Sequence, residues 1–375
     1  MRFLLLPHLP DQSKPDHDQL RELVDYAVFA EELGFDAYGI GERHDRPAVS
    51  SSPPVLLAHI AAVTSRIRLF TAVTTLGMLD PLRAYEDYAT LDHLARGRLD
   101  LIVAKGAYPR SARLFGVTRD NQWELLQENY LLFRRLWREE RVTWQGRLGR
   151  SLEDAEPLPR PLRPEIRIWH GAGSNPDSAD FAARHGDPLF TPNGAGAIGP
   201  YAAIVRHYRE RWAAYGHDPA RALVGAGTAG YFGARTSQEA VARYRPVFEA
   251  RLKVNRAFDG ASIRFDTVED WIEHGPVLVG SPQQIIEKVL GQHAHFGHEL
   301  LHLHTDGEVL DRADYLATLE LFFSDIAPVL RRELPSRPLD DAQPPGWRPR
   351  GTGTDTGRHP APRPAPTGSP DGGHG

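Results

Sequence analysis

A short apolar run followed by a longer amphipathic one recurs eight times along the chain. That alternation predicts an α/β fold, a (β/α)8 TIM barrel with insertions. Two further observations support it. The units are roughly 30–45 residues long, the size of a barrel repeat. One apolar run also passes directly into charged and imidazole-bearing residues, as strand ends do where they open on a cleft at the C-terminal face of a parallel barrel. A doubly wound open sheet is the alternative that the same alternation allows.

Residues 2–6 read as strand one. Residues 19–33 carry Leu20, Leu23, Val24, Ala27, Val28, Ala30 and Leu33 at helical spacing, and Gly34 suits the C-cap. Residues 37–41 are strand two, and 54–64 a helix with proline near its start and Ser51 and Ser52 as capping candidates. Strand three (67–74), a helix (81–94), strand four (99–104) and a long amphipathic helix (121–138) follow. The Gly/Pro-rich stretch 141–165 breaks the rhythm and suggests an excursion from the repeat. Strand five (166–170), a helix (176–185), strand six (188–191), a helix (198–215), strand seven (224–232) and a helix (237–258) resume it. After a second irregular stretch, 259–276, come a helix (282–296), strand eight (300–304) and a last helix (315–330). The folded domain is expected to span residues 1–335. Proline and glycine fill 17 of the 40 residues from 336 to 375, a composition that cannot bury enough surface to fold, so a disordered tail without catalytic role is expected there.

Hydrophobic residues at 41% can build a sizeable core, and a net charge of −5 with a pI near 6.4 does not suit a nucleic-acid partner. The absence of cysteine excludes disulfides, thiolate catalysis and Cys-ligated metal. No apolar run reaches the roughly 18–20 residues of a membrane span. The apolar start, Met1 to Leu6, stops at Pro7 and is too short for a signal peptide, which points to a cytoplasmic protein.

The chain is organised around Ala37-Tyr38-Gly39-Ile40-Gly41-Glu42-Arg43-His44-Asp45, an apolar run that turns at a glycine into an acid, a base, an imidazole and a second acid. An imidazole at a strand end can exchange a proton near neutral pH; solvated turn charges are the other reading. Lys105 follows strand four beside Gly106, and a cation next to a residue that permits close backbone approach suits a phosphate. His170-Gly171-Ala172-Gly173-Ser174-Asn175-Pro176-Asp177-Ser178 joins strand five to its helix, an arrangement that either binds an anion at the helix N-terminus or simply caps it. Gly225, Gly227 and Gly230 spell GxGxxG, but the glycines lie inside the apparent strand and the helix starts only near Ser237, so a dinucleotide site is not expected. His293, His295, His298, His302 and His304 are dense, but they straddle a helix, a turn and a strand with no framing carboxylates. No metal site is expected, and His302 and His304 could line the barrel or its rim.

Several motifs together resemble the bacterial luciferase-like, flavin-dependent monooxygenase family: Glu31-Glu32-Leu33-Gly34-Phe35-Asp36 leading into Gly41-Glu42-Arg43-His44; Thr64-Ser65-Arg66-Ile67-Arg68-Leu69; Asp80-Pro81-Leu82-Arg83 with Glu86-Asp87; Leu91-Asp92-His93-Leu94-Ala95-Arg96-Gly97-Arg98; Phe115-Gly116; and Val279-Gly280-Ser281-Pro282. They run from Met1 to about Leu330. The resemblance implies reduced FMN at the C-terminal mouth of the barrel, with oxygen activated as a flavin C4a-peroxide. It implies His44 as acid/base beside the flavin, with Glu42 holding it, Lys105 on the phosphate next to Gly106, and Ala104 near the ring. It further implies a non-proline cis peptide at Ala72-Val73 under the ring, and phosphate contacts from the turn at His170, Gly171, Gly173, Ser174 and Ser178. Asp45 stands where the family often has a second histidine, and Arg43 departs from the commoner histidine there. A separate flavin reductase, a small organic substrate such as an aldehyde or ketone, O2 and a homodimer are the implied partners. A deazaflavin-dependent hydride-transfer enzyme and a non-catalytic barrel subunit are the alternatives.

Overall fold

The computed structural model describes residues 1–8, 14–44, 49–106, 109–194, 196–257, 264–306 and 310–336. Asp45 and the tail beyond Ser336 lie outside them. The elements are β1 (Arg2–His8), α1 (Asp16–Leu33), β2 (Ala37–Ile40), α2 (Pro53–Val63), β3 (Arg68–Thr74), α3 (Pro81–Leu94), β4 (Leu99–Val103), α4 (Pro109–Leu114) and α5 (Gln122–Arg138). They continue with β5 (Val142–Trp144), β6 (Leu152–Ala155), β7 (Ile168–Gly171), α6 (Pro176–His185), β8 (Leu189–Thr191), α7 (Ile198–Ala214), β9 (Val224–Ala226) and β10 (Tyr231–Gly233). The last are α8 (Ser237–Ala257), α9 (Val268–His274), β11 (Leu278–Gly280), α10 (Pro282–Phe296), β12 (Leu300–Asp306), α11 (Arg312–Leu321) and, after one π turn, α12 (Ala327–Glu333).

Eight parallel strands close a barrel in the order β1-β12-β9-β8-β7-β4-β3-β2. Closure falls between the first and last of them, where β1 pairs β12 from Arg2↔Leu300 to His8↔Asp306. Helix ends follow local chemistry. Gly34 takes φ 97° and caps α1 with its N–H on Ala30 and Glu31. The Asp80 carboxylate accepts from the Leu82 and Arg83 amides to start α3, and Ser281 with Gln284 forms a capping box on α10.

The sequence reading needs correction at three places. Stretch 141–165 contains the antiparallel hairpin β5–β6. Strand seven breaks after Ala226: β9 belongs to the barrel, while β10 leaves it to pair with β11 outside. The last helix is interrupted by the π turn at Phe322–Ile326.

Because side chains alternate along a strand, each wall has two populations. Outward residues such as Phe3, Leu5, Tyr38, Leu69, Leu101, Ile168 and Leu303 pack beneath the helices. Inward Leu4, Phe70, Ile102, Trp169, Phe190 and Leu300 fill the middle of the barrel. One step toward the C-terminal ends, the inward positions are Leu6, Gly41, Ala72, Ala104, Gly171, Pro192, Gly227 and His302. One step the other way lie charges. Asp100 is fully buried and accepts from Arg68 at 2.5 Å, Arg167 at 3.1 Å and the Trp169 indole at 3.2 Å. Arg163 lies beside it, held by Asp92 at 2.8 Å.

Burial alone would raise the Asp100 carboxyl, but Arg68, Arg167 and Arg163 outweigh it and hold it below the ordinary value. Removing that carboxylate leaves guanidiniums in a closed apolar space. Asp100→Ala is therefore expected to cost about 3–5 kcal/mol, read as a lower urea midpoint in equilibrium unfolding.

Candidate active site at the barrel mouth

β2 delivers Gly41, Glu42 and His44 to the C-terminal rim. Two bonds set the path of the chain there, Arg43 N–H to the Ser50 carbonyl at 3.1 Å and the Ser50 hydroxyl to the Gly41 carbonyl at 2.7 Å. Glu42 is buried and His44 nearly so, and their side chains meet at 2.8 Å between Oε1 and Nε2. The Glu42 carboxylate also accepts the Thr75 amide at 3.0 Å and the Thr75 hydroxyl. It therefore collects donors from two strands, and the imidazole is oriented by a group that cannot itself swing. The ring packs edge-on against Phe115, centroids 4.6 Å apart.

The neighbouring rims adjoin. Ala72-Val73 is a non-proline cis peptide at the end of β3. A Cβ on Gly41 would stand 3.2 Å from the Ala72 carbonyl oxygen, and one on Gly171 3.1 Å from the Ala104 Cβ. Gly106 has φ 81°, and a Cβ there would lie 2.7 Å from Met78 Cε and 3.2 Å from Thr75 Cγ2, so only glycine suits the position. Gly106 thus lies against the same threonine that holds Glu42. Lys105 is exposed, and no salt bridge engages its ammonium among the described residues. Since Val103 pairs with His170, Lys105 and the Gly171–Ser178 turn extend from neighbouring strand ends.

That turn differs from the sequence reading in two respects. His170 is correctly a strand-end residue, but its side chain faces outward, away from the mouth. Its Nε2 meets Asp187 at 3.0 Å, and its ring packs on Tyr130 and Phe181 of the helix layer. Only its backbone belongs to the rim, because inward and outward positions alternate and the inward place goes to Gly171. Second, Asn175 already caps α6, accepting from Asp177 N–H at 3.0 Å on its side chain and from Ser178 N–H at 3.3 Å on its carbonyl. The groups left for an anion are the exposed Ser174, half-buried Gly173 and the Ser178 hydroxyl.

The histidine-rich stretch is dispersed. His293 and His298 pair before β12, with Nδ1 of one on the carbonyl of the other at 3.0 Å, while His302 lies inside the barrel. Among the described residues no three His, Asp or Glu side chains converge as a metal site, and no helix is long and apolar enough to cross a membrane. Sequence reasoning missed Thr75, whose signal was only its place just past β3, and the buried set formed by Tyr130, Arg134, His170 and Asp187, which joins three separate elements.

The sequence profile of the family described as luciferase-like monooxygenase matches residues 1–299. The crystal structure of the monooxygenase RslO1 from Streptomyces bottropensis is similar at 26% identity and TM-score 0.78, over 88% of this chain and 99% of that one. The oxygenating constituent of 3,6-diketocamphane monooxygenase from Pseudomonas putida, a type II Baeyer–Villiger monooxygenase in complex with FMN, shares the fold at TM-score 0.73 and 20% identity, over 88% and 98% of the two chains. The F420-dependent glucose-6-phosphate dehydrogenase of Kineococcus radiotolerans is 35% identical over 184 residues, 47% of this chain and 53% of that protein. The chain spans about half the length of the curated relatives it matches.

The Asp187 cluster gives the site's outer wall a pH dependence. Burial would raise this carboxyl, but Arg134, His170 and Tyr130 bring it down to about 2 from 3.8. A depressed carboxyl contributes stability above its unfolded value and loses it as pH falls through the folded one. The wild type is expected to lose about 2 kcal/mol between pH 4 and pH 2 that Asp187→Asn does not lose, measured as unfolding free energy against pH.

Proposed function

The chain belongs to the luciferase-like monooxygenase family, and from that premise we propose that it is a two-component, FMN-dependent monooxygenase acting on a small organic molecule with O2. The observation that carries this reading is the Glu42–His44 pair, fixed by Thr75 at the rim of a mouth whose inward positions from β2 to β7 are glycine and alanine. The residues fit a flavin. Gly41, Ala72, Ala104 and Gly171 leave flat room where larger side chains would intrude, and Lys105 offers an ammonium one strand from the Gly173–Ser174 backbone. Lys105, Gly106, Gly173, Ser174 and Ser178 would hold the phosphate, and Ala72, Val73 and Ala104 would border the ring.

The protein's own part in the reaction is to orient, to seal and to handle a proton. Glu42 takes Nε2–H of His44, so Nδ1 carries the free lone pair of the neutral ring. His44 would accept or return a proton at that atom, and Glu42 keeps the tautomer. Phe115 and Met78, beside His44 and Gly106, are apolar and limit the access of water. Reduced FMN, when bound, supplies the electrons and the activation of oxygen. It would come from a separate reductase, since the GxGxxG glycines lie where β9 leaves the barrel rather than at a helix start. Assembly as a homodimer in the cytoplasm completes the proposal.

A second reading, hydride transfer with the deazaflavin F420, is favoured by the likeness to the Kineococcus dehydrogenase. Titrating the protein with FMN and with F420 separates the two; tighter binding of F420, with no oxygen from O2 incorporated into candidate ketones on adding reduced FMN, would overturn the monooxygenase reading.

His44→Ala and Glu42→Gln are expected to lower product formation by about 100-fold or more while leaving FMN affinity within about threefold, measured by 18O incorporation and fluorescence titration. Lys105→Ala is expected to weaken FMN by about 10- to 100-fold and riboflavin hardly at all, since riboflavin lacks the phosphate.

A further inference from the structure

The upper barrel holds one imidazole that the protein leaves unsatisfied. His302 lies on β12 and is 7% exposed, and its Nε2 is sealed with no hydrogen-bond partner. No hydrogen bond to its Nδ1 exists among the described residues. A neutral imidazole carries one N–H and one lone pair, and with Nε2 sealed, Nδ1 is the nitrogen that a ligand entering the barrel can reach.

The ring's surroundings point to a ligand. It faces the barrel interior on the same face as His304, one step below it, with ring centroids 5.9 Å apart. The Phe190 ring lies 6.1 Å away. Next door, a Cβ on Gly227 would overlap the Pro192 carbonyl and stand 3.2 Å from His302 Nδ1, so β9 passes the ring with no side chain between them. In the barrel order β12 lies two strands from β2, with β1 between them, and directly across from β4, the strand that leads into Lys105. A molecule in the mouth therefore has His302 on the wall facing the Lys105 strand and two strands away from the acid/base pair. His298 also has both ring nitrogens unpartnered, but it precedes β12 and is packed against Phe296 and His293, away from the mouth.

We propose that His302 orients the substrate, its imidazole forming a hydrogen bond with an uncharged carbonyl or hydroxyl oxygen of the organic molecule held in the barrel mouth. This rests on the oxygenase reading for the word substrate, though the binding itself does not. Burial lowers the ring to about 3, so it stays neutral at working pH. Through Nδ1 it offers a donor or an acceptor according to the tautomer, which matches a ketone or phenol oxygen, and no charge for a carboxylate. The immediate neighbours Phe190, Gly227 and the paired Leu4 are uncharged as well.

The test uses the full chain, apo and FMN-loaded, with acetophenone as probe and benzoate as its charged control, each titrated by tryptophan fluorescence. His302→Leu removes both nitrogens in a similar volume, and His302→Gln keeps a donor and an acceptor. Expected are acetophenone binding weakened about tenfold or more by the leucine and changed by about threefold or less by the glutamine. FMN affinity should stay within about twofold in both variants, and His302→Leu should melt at or above the wild-type temperature, since it removes an unsatisfied buried donor. A merely structural histidine would instead give a lower melting temperature. The proposal is overturned if the leucine variant binds acetophenone as the wild type does, if benzoate binds as tightly as acetophenone, if acetophenone binds neither form, or if stability or FMN affinity falls instead. Should the wild type bind neither FMN nor F420 while the acetophenone pattern holds, the flavin reading fails and the role of His302 stands.

Discussion

Everything at the mouth depends on a steric constraint: five of the eight inward positions of the upper barrel, and all of those from β2 to β7, are glycine or alanine. Strand pleating sends every second residue into the barrel, so one closed wall has a sequence of layers along its axis. The middle layer is filled with Leu4, Phe70, Ile102, Trp169, Phe190 and Leu300. Its aromatic rings make a floor. Below that floor Arg68, Arg167 and Asp100 occupy the layer with charge. Above it come Gly41, Ala72, Ala104, Gly171 and Gly227, and the space they leave is the room a ligand needs. Had these positions held leucine or valine, as the middle layer does, the barrel would be a packed core to its rim.

The constraint also explains which polar groups serve the mouth. With no inward bulk, the rim residues just beyond the strands turn over an open space rather than a packed one. Glu42 reaches across to Thr75 on the adjacent strand end, and Gly106 lets the next strand close against that same threonine. Three rims are thereby joined through one carboxylate. A carboxylate with three donors has little freedom, and the imidazole it holds inherits that rigidity. Catalytic groups on loops gain precision in this way, through hydrogen bonds to a neighbouring element rather than through their own backbone.

Much of this was legible in the sequence. The run from Ala37 to His44 shows its strand and its polar end, and the helix caps at Gly34 and Ser52 are written in residue type. What was not legible turns on short strands. β5, β9, β10 and β11 have three residues each, too few for a period to be read. Residues 224–232 therefore read as one strand, although the chain leaves the barrel after Ala226. Parity at a strand end is equally hidden, since a shift of one residue exchanges inside for outside. His170 and Gly171 show the consequence: the imidazole faces the helices and the glycine faces the mouth. Long-range partners such as Asp187 for His170, or Thr75 for Glu42, have no local signature at all.

The distribution of charge around the rim gives the proposed chemistry a direction. The ammonium of Lys105 and the small residues of the β7–α6 turn lie on neighbouring strand ends, where an anion would be held. Glu42 and His44 lie on the next arc, close enough for proton exchange but already paired with each other, so the anion and the imidazole do not compete. Across the mouth from Lys105, the His302 imidazole of β12 is neutral. The buried His170–Asp187–Arg134 set, which carries real charge, is kept behind the wall, where its field is compensated internally by an ion pair at 2.6 Å. A lysine ammonium on one side, an imidazole held by a carboxylate on the next arc and a neutral imidazole opposite form a gradient of polarity across a single opening. A flat, negatively tailed coenzyme with an apolar substrate stacked beyond it satisfies that gradient. A dinucleotide laid along a Rossmann-type helix start does not, because the GxGxxG glycines are followed by β10 and not by a helix.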